Sequence, residues 1–341
     1  MAKKWIYWFD ELGADFNDLV GKKCANLGEM TKLGMRVPPG FAISVDGYEQ
    51  FMEESGAGKE IQSYFHKNSA MMSQVGKQVE ASREIRRIIE SKSLPNEMAQ
   101  ELRHNYQTLC HQQGTPDLAV AVRSSGAVSM PGQMETYLNV RGKTELERKV
   151  TKVWASAFTA RAIAFRLEKK MDIAKAPIGV AVLKMVNAKC AGVVLTVLPT
   201  TGDLSKVVVE GNWGLGESVV SGEITPDQFI VDKTCGTCET TISQKTKMVC
   251  YGTLGTRVTR VPDELKCAPC LNPDELSEIV RIATDVETYF NVPQDMEWVI
   301  DRDQSFPANL YWVQARPAKY SKVKQNDSQY LADLMSRIFR M

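Results

Sequence analysis

Chemistry is concentrated in one stretch, Asp295 to Pro317, which reads DMEWVIDRDQSFPANLYWVQARP. Polar and apolar residues alternate from Asp295 to Ile300 and again from Leu310 to Arg316. On a strand, side chains two apart share a face. Asp295 and Glu297 therefore lie on one face, as do Gln314 and Arg316. The segment between the runs is polar and contains a proline, so a hairpin is the economical fold. In the right register, two carboxylates, an amide and a guanidinium converge. Oxygen ligands suit Mg²⁺ and a planar guanidinium suits phosphate, which points to a Mg-nucleotide site. The same alternation also fits a solvated sheet face with its apolar residues turned to the core.

Other segments could supply partners for such a site. Val20-Gly-Lys-Lys-Cys-Ala-Asn-Leu-Gly28 places Lys22 and Lys23 at the opening of a helix, where free backbone N–H groups can hold an anion. Asp117 to Arg123 is a β-rich run, ended by Ser124-Ser125-Gly126 and followed by a small-residue loop through Gly132 to Thr136. Strand, arginine, hydroxyls and glycines together make a phosphate cradle. A further strand, Val207 to Gly211, leads into Asn212-Trp-Gly214-Leu-Gly216-Glu217, a turn whose carboxylate could line a nucleotide pocket. A plain tight turn explains the same glycines.

The cysteines suggest a metal of another kind. Cys235-Gly-Thr-Cys238 and Cys267-Ala-Pro-Cys270 are two CxxC pairs, with Cys250 between them. In a zinc-ribbon-like β insertion over residues 235–270, Cys235, Cys238, Cys267 and Cys270 would hold a structural Zn²⁺. Reduced thiols without metal are the other reading. The three histidines, His66, His104 and His111, read as surface or core residues, since none has a partner nearby in sequence.

These groups need elements to position them. Trp5, Tyr7 and Phe9 alternate as in a short strand. Val37-Pro-Pro-Gly40 turns the chain into a strand over 41–45, and a helix follows over 46–54. Residues 60–113 read as helical, interrupted near Ser69 and Pro95. Residues 145–170 read as one helix. Strands are expected over 178–185, 191–198 and 207–211. Asn272-Pro273-Asp-Glu275 opens a helix, with Asn as N-cap, Pro in the first turn and Glu three residues on. Pro177 marks a subdomain boundary, dividing residues 1–177 from 178–318. A tail over 319–341 ends in a short amphipathic helix.

Composition sets outer limits. The chain has 341 residues, 43% hydrophobic and 24% charged, enough for two or three domains. Lys and Arg number 42 against 41 Asp and Glu, a net charge of +1, which argues against nucleic acid and membrane surfaces as partners. No apolar run is long enough to span a bilayer, and the start lacks the apolar core of a signal peptide, so a cytoplasmic location is expected.

Together the motifs VGKKCANLGEM, VPPGFAIS, AVRSS, PGQMETYLNV, WGLGESVVSGEITPDQF, DMEW and LYWVQARP resemble the ATP-binding N-terminal region of the phosphoenolpyruvate synthase and pyruvate phosphate dikinase family. The resemblance runs in the family's order from about residue 12 to about residue 318. It implies an α+β, ATP-grasp-like fold whose two subdomains enclose the nucleotide. It also implies that ATP gives its β,γ-diphosphate to a histidine on a mobile domain, with AMP and phosphate released. By motif, Lys23 matches the family's phosphate-binding lysine and Arg123 the arginine of its VRSS motif. Glu297 and Gln314 match the Mg²⁺ and phosphate ligands, Asp295 supports them, and Arg316 matches the arginine on the terminal phosphates. Lys23, Arg123 and Arg316 are the expected catalytic groups. Gly132, Thr136, Lys184 and Glu217 complete the expected nucleotide site.

The sequence departs from the family in four ways. Leu183 stands where the family's adenine-hinge strand usually has glutamine. The loop after Arg123 is closer to the shorter dikinase SMPG form. The CxxC pairs are not a general family feature. The chain also stops where the family continues into its phosphohistidine and acceptor-binding domains, and no histidine has the family's setting. The resemblance therefore implies an ATP-activating subunit of a split enzyme, like that of the phenylphosphate synthases, serving a histidine on a partner subunit and a phenol- or pyruvate-like acceptor. The alternatives are a self-contained kinase of the rifampicin phosphotransferase type and a non-catalytic ATP-sensing subunit.

Overall fold

A computed structural model describes residues 4–68, 72, 74–127, 134–220, 222–253 and 255–320. The first half runs β1 (Ile6–Trp8), α1 (Asn17–Lys32), β2 (Gly40–Ile43), α2 (Val45–Glu54), α3 (Ala57–Asn68), α4 (Val75–Glu90), α5 (Asn96–Gln112), β3 (Val120–Ser125) and β4 (Thr136–Val140). Next come α6 (Lys143–Ser156), α7 (Ala160–Glu168), β5 (Gly179–Lys184), β6 (Ala188–Leu195), β7 (Lys206–Trp213), α8 (Glu217–Val220), β8 (Asp227–Asp232) and β9 (Cys238–Thr241). The last are β10 (Lys247–Tyr251), β11 (Thr256–Arg260), α9 (Pro273–Phe290), β12 (Gln294–Asp301) and β13 (Leu310–Pro317). Two antiparallel sheets organise them, in the orders β1-β2-β5-β3-β4 and β13-β12-β6-β7-β8-β9, with β10 and β11 as a separate hairpin. The result is a mixed α/β architecture. Gly132 and the tail helix expected after residue 320 lie outside the described residues.

The first sheet has two unlike faces. Phe41, Ile43, Val120, Val122, Val180 and Val182 face a core packed by α2 to α6. Their neighbours Ala42, Ala119, Ala121 and Ala181 join the other core, with α1 and the second sheet. Alternation along each strand produces the contrast, and the small side chains let α1 approach closely. Arg123 stands in step with Ala119 and Ala121, so it emerges on the face turned toward the second sheet.

The elements differ from expectation in places. The strand placed at the start of a second subdomain, β5, lies inside the first sheet between β2 and β3. Its Val180 and Val182 sit in the helical core, and the chain passes from the first sheet to the second after Lys184. The helix expected over 145–170 is broken at Ala157, and Thr159 caps a new one by accepting the Ala162 N–H at 3.2 Å. On α9, Tyr289 is 54% exposed and donates from its hydroxyl to Glu29. The start of α9 is as expected: the Asn272 side chain accepts from Glu275 N–H at 2.8 Å, and Glu275 accepts from Asn272 N–H at 3.1 Å.

The cysteines do not assemble as a zinc ribbon. Among the described residues no group of three or more His, Cys, Asp or Glu side chains could hold a metal. Cys235 lies 3.1 Å from the Thr237 hydroxyl, whereas Cys238 lies 3.5 Å from that of Thr240. Cys235 lies in the turn before β9 and Cys238 opens that strand, both exposed. Cys270 is buried, and its amide donates to Asp227 at 2.9 Å. The spacing is right for zinc, but Cys270 is buried while Cys235, Cys238 and Cys267 are exposed.

Candidate active site

The Asp295–Pro317 hairpin forms in the useful register. Asp295 pairs with Arg316 and Glu297 with Gln314, and β12 also pairs with β6. The register slips after Glu297, so Trp298 faces Trp312 and Val313 is the extra residue of a β-bulge. A bulge leaves one residue outside the ladder and re-aims its groups. The Val313 carbonyl uses that freedom by accepting from Arg123 Nη1 at 3.0 Å.

Arg123 ties the two sheets together. Its Nη2 donates to Glu297 Oε2 at 2.9 Å and to Gln314 Oε1 at 3.3 Å. Both side chains of the ion pair are only 16% exposed. Two residues further along the same hairpin edge, Arg316 donates to Asp295 from Nε at 2.9 Å and from Nη2 at 2.7 Å. Both arginines thus rest on carboxylates, and their forked geometry is the kind that also grips phosphate.

Lys23 arrives through a break in α1. Gly21 has φ +77° and ψ 160°, which kinks the helix. A Cβ on Gly21 would lie 2.1 Å from the Ser125 carbonyl oxygen. Beyond the kink the Lys22 amide donates to the Gly126 carbonyl at 3.2 Å and the Cys24 amide to the Ser125 hydroxyl at 3.1 Å. These amides are thus committed to the end of β3 rather than open to an anion, and Lys23 offers its side chain instead. Burial first, then the Arg123 guanidinium, pull its ammonium down to about 8, against the opposing pull of Glu297. Burial likewise pushes the neighbouring Cys24 thiol up to about 12.

Between the sheets lies a cavity of about 590 Å³. Arg123, Thr136, Lys184, Glu217 and Glu297 all line it. Its apolar wall includes Leu183, Met185, Val186, Leu215 and Val299. Thr136 stands opposite Arg123 in the β3–β4 register. Lys184 Nζ donates to Gln113 Oε1 at 3.1 Å. Gln314 joins through Arg123, Lys23 is near enough to feel the Arg123 charge but is not among the lining residues, and Asp295 and Arg316 continue the charged edge of the hairpin. Sequence reasoning missed the third wall, Val249, Thr256, Arg257 and Val258 of the β10–β11 hairpin. Those residues carry no motif, and the CxxC pairs around them drew attention to zinc.

Another concavity of about 800 Å³ lies between β1 and α5. Lys4 is the cation among its described lining residues, and it pairs with Glu11. Glu101 there accepts the Ile6 amide at 3.1 Å. Its one cation is already spent, so we place phosphate chemistry in the smaller cavity.

Oxygen donors suit Mg²⁺, and the carboxylate of Glu297 and amide oxygen of Gln314 stand side by side across the hairpin. These residues fit such an ion, provided Arg123 yields its place on Glu297. The geometry as a whole offers cations for a polyphosphate, oxygens for its metal and an apolar slot for a flat ring.

Comparison with known proteins agrees with this geometry. Residues 17–335 match the pyruvate phosphate dikinase AMP/ATP-binding domain. A probable phosphoenolpyruvate synthase of Methanocaldococcus jannaschii is 35% identical over 96% of this chain and 28% of its own length. One from Staphylothermus marinus is 38% identical over 92% of this chain and 41% of its own. The phosphoenolpyruvate synthase of Aeropyrum pernix is 34% identical over 96% of this chain and 44% of its own. The chain spans less than half the length of these relatives. Residues, geometry and likeness agree, and the chain belongs to the pyruvate phosphate dikinase AMP/ATP-binding domain family.

Proposed function

We propose that this chain is the ATP-binding part of a dikinase-type phosphotransferase. In this reading it holds Mg-ATP between its sheets and presents the β,γ-diphosphate to a histidine on a partner subunit. The imidazole nitrogen bonds to the β-phosphorus as the bond from that phosphorus to the α,β-bridging oxygen breaks, and AMP leaves with that oxygen. Hydrolysis of the bound diphosphate then releases phosphate and leaves phosphohistidine for a small acceptor of the phenol or pyruvate kind. The convergence of Arg123 from β3 with Glu297 and Gln314 from the hairpin carries the reading.

The chain's own residues have clear parts. Arg123, Lys23 and Arg316 supply positive charge where charge accumulates on the transferring group, which is the main demand of phosphoryl transfer. Glu297 and Gln314 would hold Mg²⁺, with Asp295 orienting Arg316. A bound Mg²⁺ would supply charge neutralisation across the phosphates. Leu183 to Val186 would contact the base, leaving backbone groups to read its edge. An acceptor histidine outside residues 1–341 is supported by where the histidines sit: His66 is on α3, His104 and His111 are on α5, and none lines the cavity.

The test uses purified chain, Mg²⁺ and ATP labelled in the β-phosphate, with and without co-purifying subunits. Partner-dependent AMP release and acid-labile label on a partner histidine are expected. Release of ADP by the chain alone would overturn the proposal. Arg316→Ala should abolish AMP formation while partner binding persists.

A further inference from the structure

The β10–β11 hairpin bridges the cavity. At its base, Asn212 Nδ2 donates to the Lys247 carbonyl at 3.0 Å and the Leu215 amide to the Val249 carbonyl at 2.8 Å. Both anchors belong to the second sheet and the turn that follows β7. At its tip, the hairpin meets the first sheet through one side chain. Asn139 Nδ2 donates to the carbonyls of Gly252 and Gly255, each at 2.9 Å. Between base and tip, Val249, Thr256, Arg257 and Val258 face the cavity. The hairpin is therefore a strap, rooted on one wall and fastened to the other.

Asn139 is held for this task. It is 2% exposed and sits at the inner end of β4. Its φ of +53° is a conformation that asparagine tolerates better than other residues with a side chain. Arg141 Nε donates to its Oδ1 at 3.1 Å, and Arg141 Nη1 donates to the Asp117 carbonyl at 3.1 Å. That contact fixes which end of the amide faces the strap, so the amide is fully used: its oxygen is held by Arg141 and its NH₂ group grips two carbonyls. A non-glycine residue kept in this backbone region points to a function.

We infer that Asn139 is a nucleotide-positioning residue, which fastens the β10–β11 strap across the cavity and thereby sets how tightly and how long a purine nucleotide is held. The inference rests on the nucleotide reading above. Fastened, the strap encloses the ring against Leu183, Met185 and Val186. Unfastened, the slot loses a wall and the nucleotide leaves faster.

The test compares wild type with Asn139→Gly, which keeps the positive φ comfortable, and Asn139→Asp, which keeps the Arg141 contact but cannot donate to the carbonyls. Backbone hydrogen exchange over residues 247–260 is measured without nucleotide, alongside the Mg-ATP dissociation constant and off-rate. Both variants should exchange faster in this hairpin alone and bind Mg-ATP about tenfold more weakly, mainly through the off-rate, as loss of one or two hydrogen bonds implies. Unchanged exchange in both folded variants would overturn the inference. So would faster exchange with unchanged Mg-ATP affinity and off-rate, which would make Asn139 merely structural. A wild-type chain that binds no Mg-ATP would overturn the nucleotide reading and this inference together, whereas normal wild-type binding matched by both variants overturns this inference alone.

Discussion

Burial pulls the Lys23 ammonium down to about 8 from an ordinary 10.5. Between those values the unfolded chain binds more protons than the folded one, so stability should rise with pH across that window. Lys23→Met should lack this rise, and near neutral pH it should melt about 2 °C or more above wild type while binding Mg-ATP far less well. A melting temperature below wild type would show that the lysine supports the fold. A bound polyphosphate favours the charged form, so Mg-ATP binding above about pH 8 should take up a proton. Calorimetry in buffers of different ionisation enthalpy measures that uptake. Arg123 has three acceptors at once, two side chains and the Val313 carbonyl. Lysine has no planar fork, so Arg123→Lys should lose most nucleotide affinity although the charge is kept.

At the scale of elements, the kink in α1 sets where Lys23 stands relative to Arg123 and Glu297. Gly21 combines φ +77° with a backbone oxygen where a Cβ would go. Gly21→Ala should therefore cost about 3 kcal/mol or more in denaturant unfolding, by strain and clash together. Ser125→Ala removes the cap on the Cys24 amide and the hydroxyl beside the Cys24 thiol, and should cost about 1 kcal/mol. The sequence made the β12–β13 hairpin legible because strand period two puts Asp295 with Glu297 and Gln314 with Arg316. It did not reveal the bulge at Val313, since one extra residue leaves the local alternation intact. The α9 start was legible because caps are local chemistry. The place of β5 was not, because sheet order depends on partners far along the chain. The CxxC spacing misled for a related reason: a count of residues says nothing about which thiols are buried and which exposed.

For the whole molecule, two sheets share one cavity, and the residues that join them are those assigned to the nucleotide. The motifs named the family and most of the lining. The strap was silent, because Asn139 works through two carbonyls that any sequence could supply. The paired charges also bear on how fast the cavity fills. Arg123 against Glu297 and Arg316 against Asp295 cancel two positive charges with two negative ones. An incoming anion at long range meets little net field, so electrostatic steering is weak. Raising salt from about 20 mM to about 200 mM should change the Mg-ATP association rate less than about threefold, as stopped-flow fluorescence can measure. A steep fall would mean that the pairs open before the encounter. The same cancellation sets a preference between ligand forms. Metal-free ATP would have to take the arginines and leave Asp295 and Glu297 facing its own negative charge. The metal-loaded form brings a cation for the carboxylates at the moment the arginines are released, so both sets of ions change partners and none is left alone.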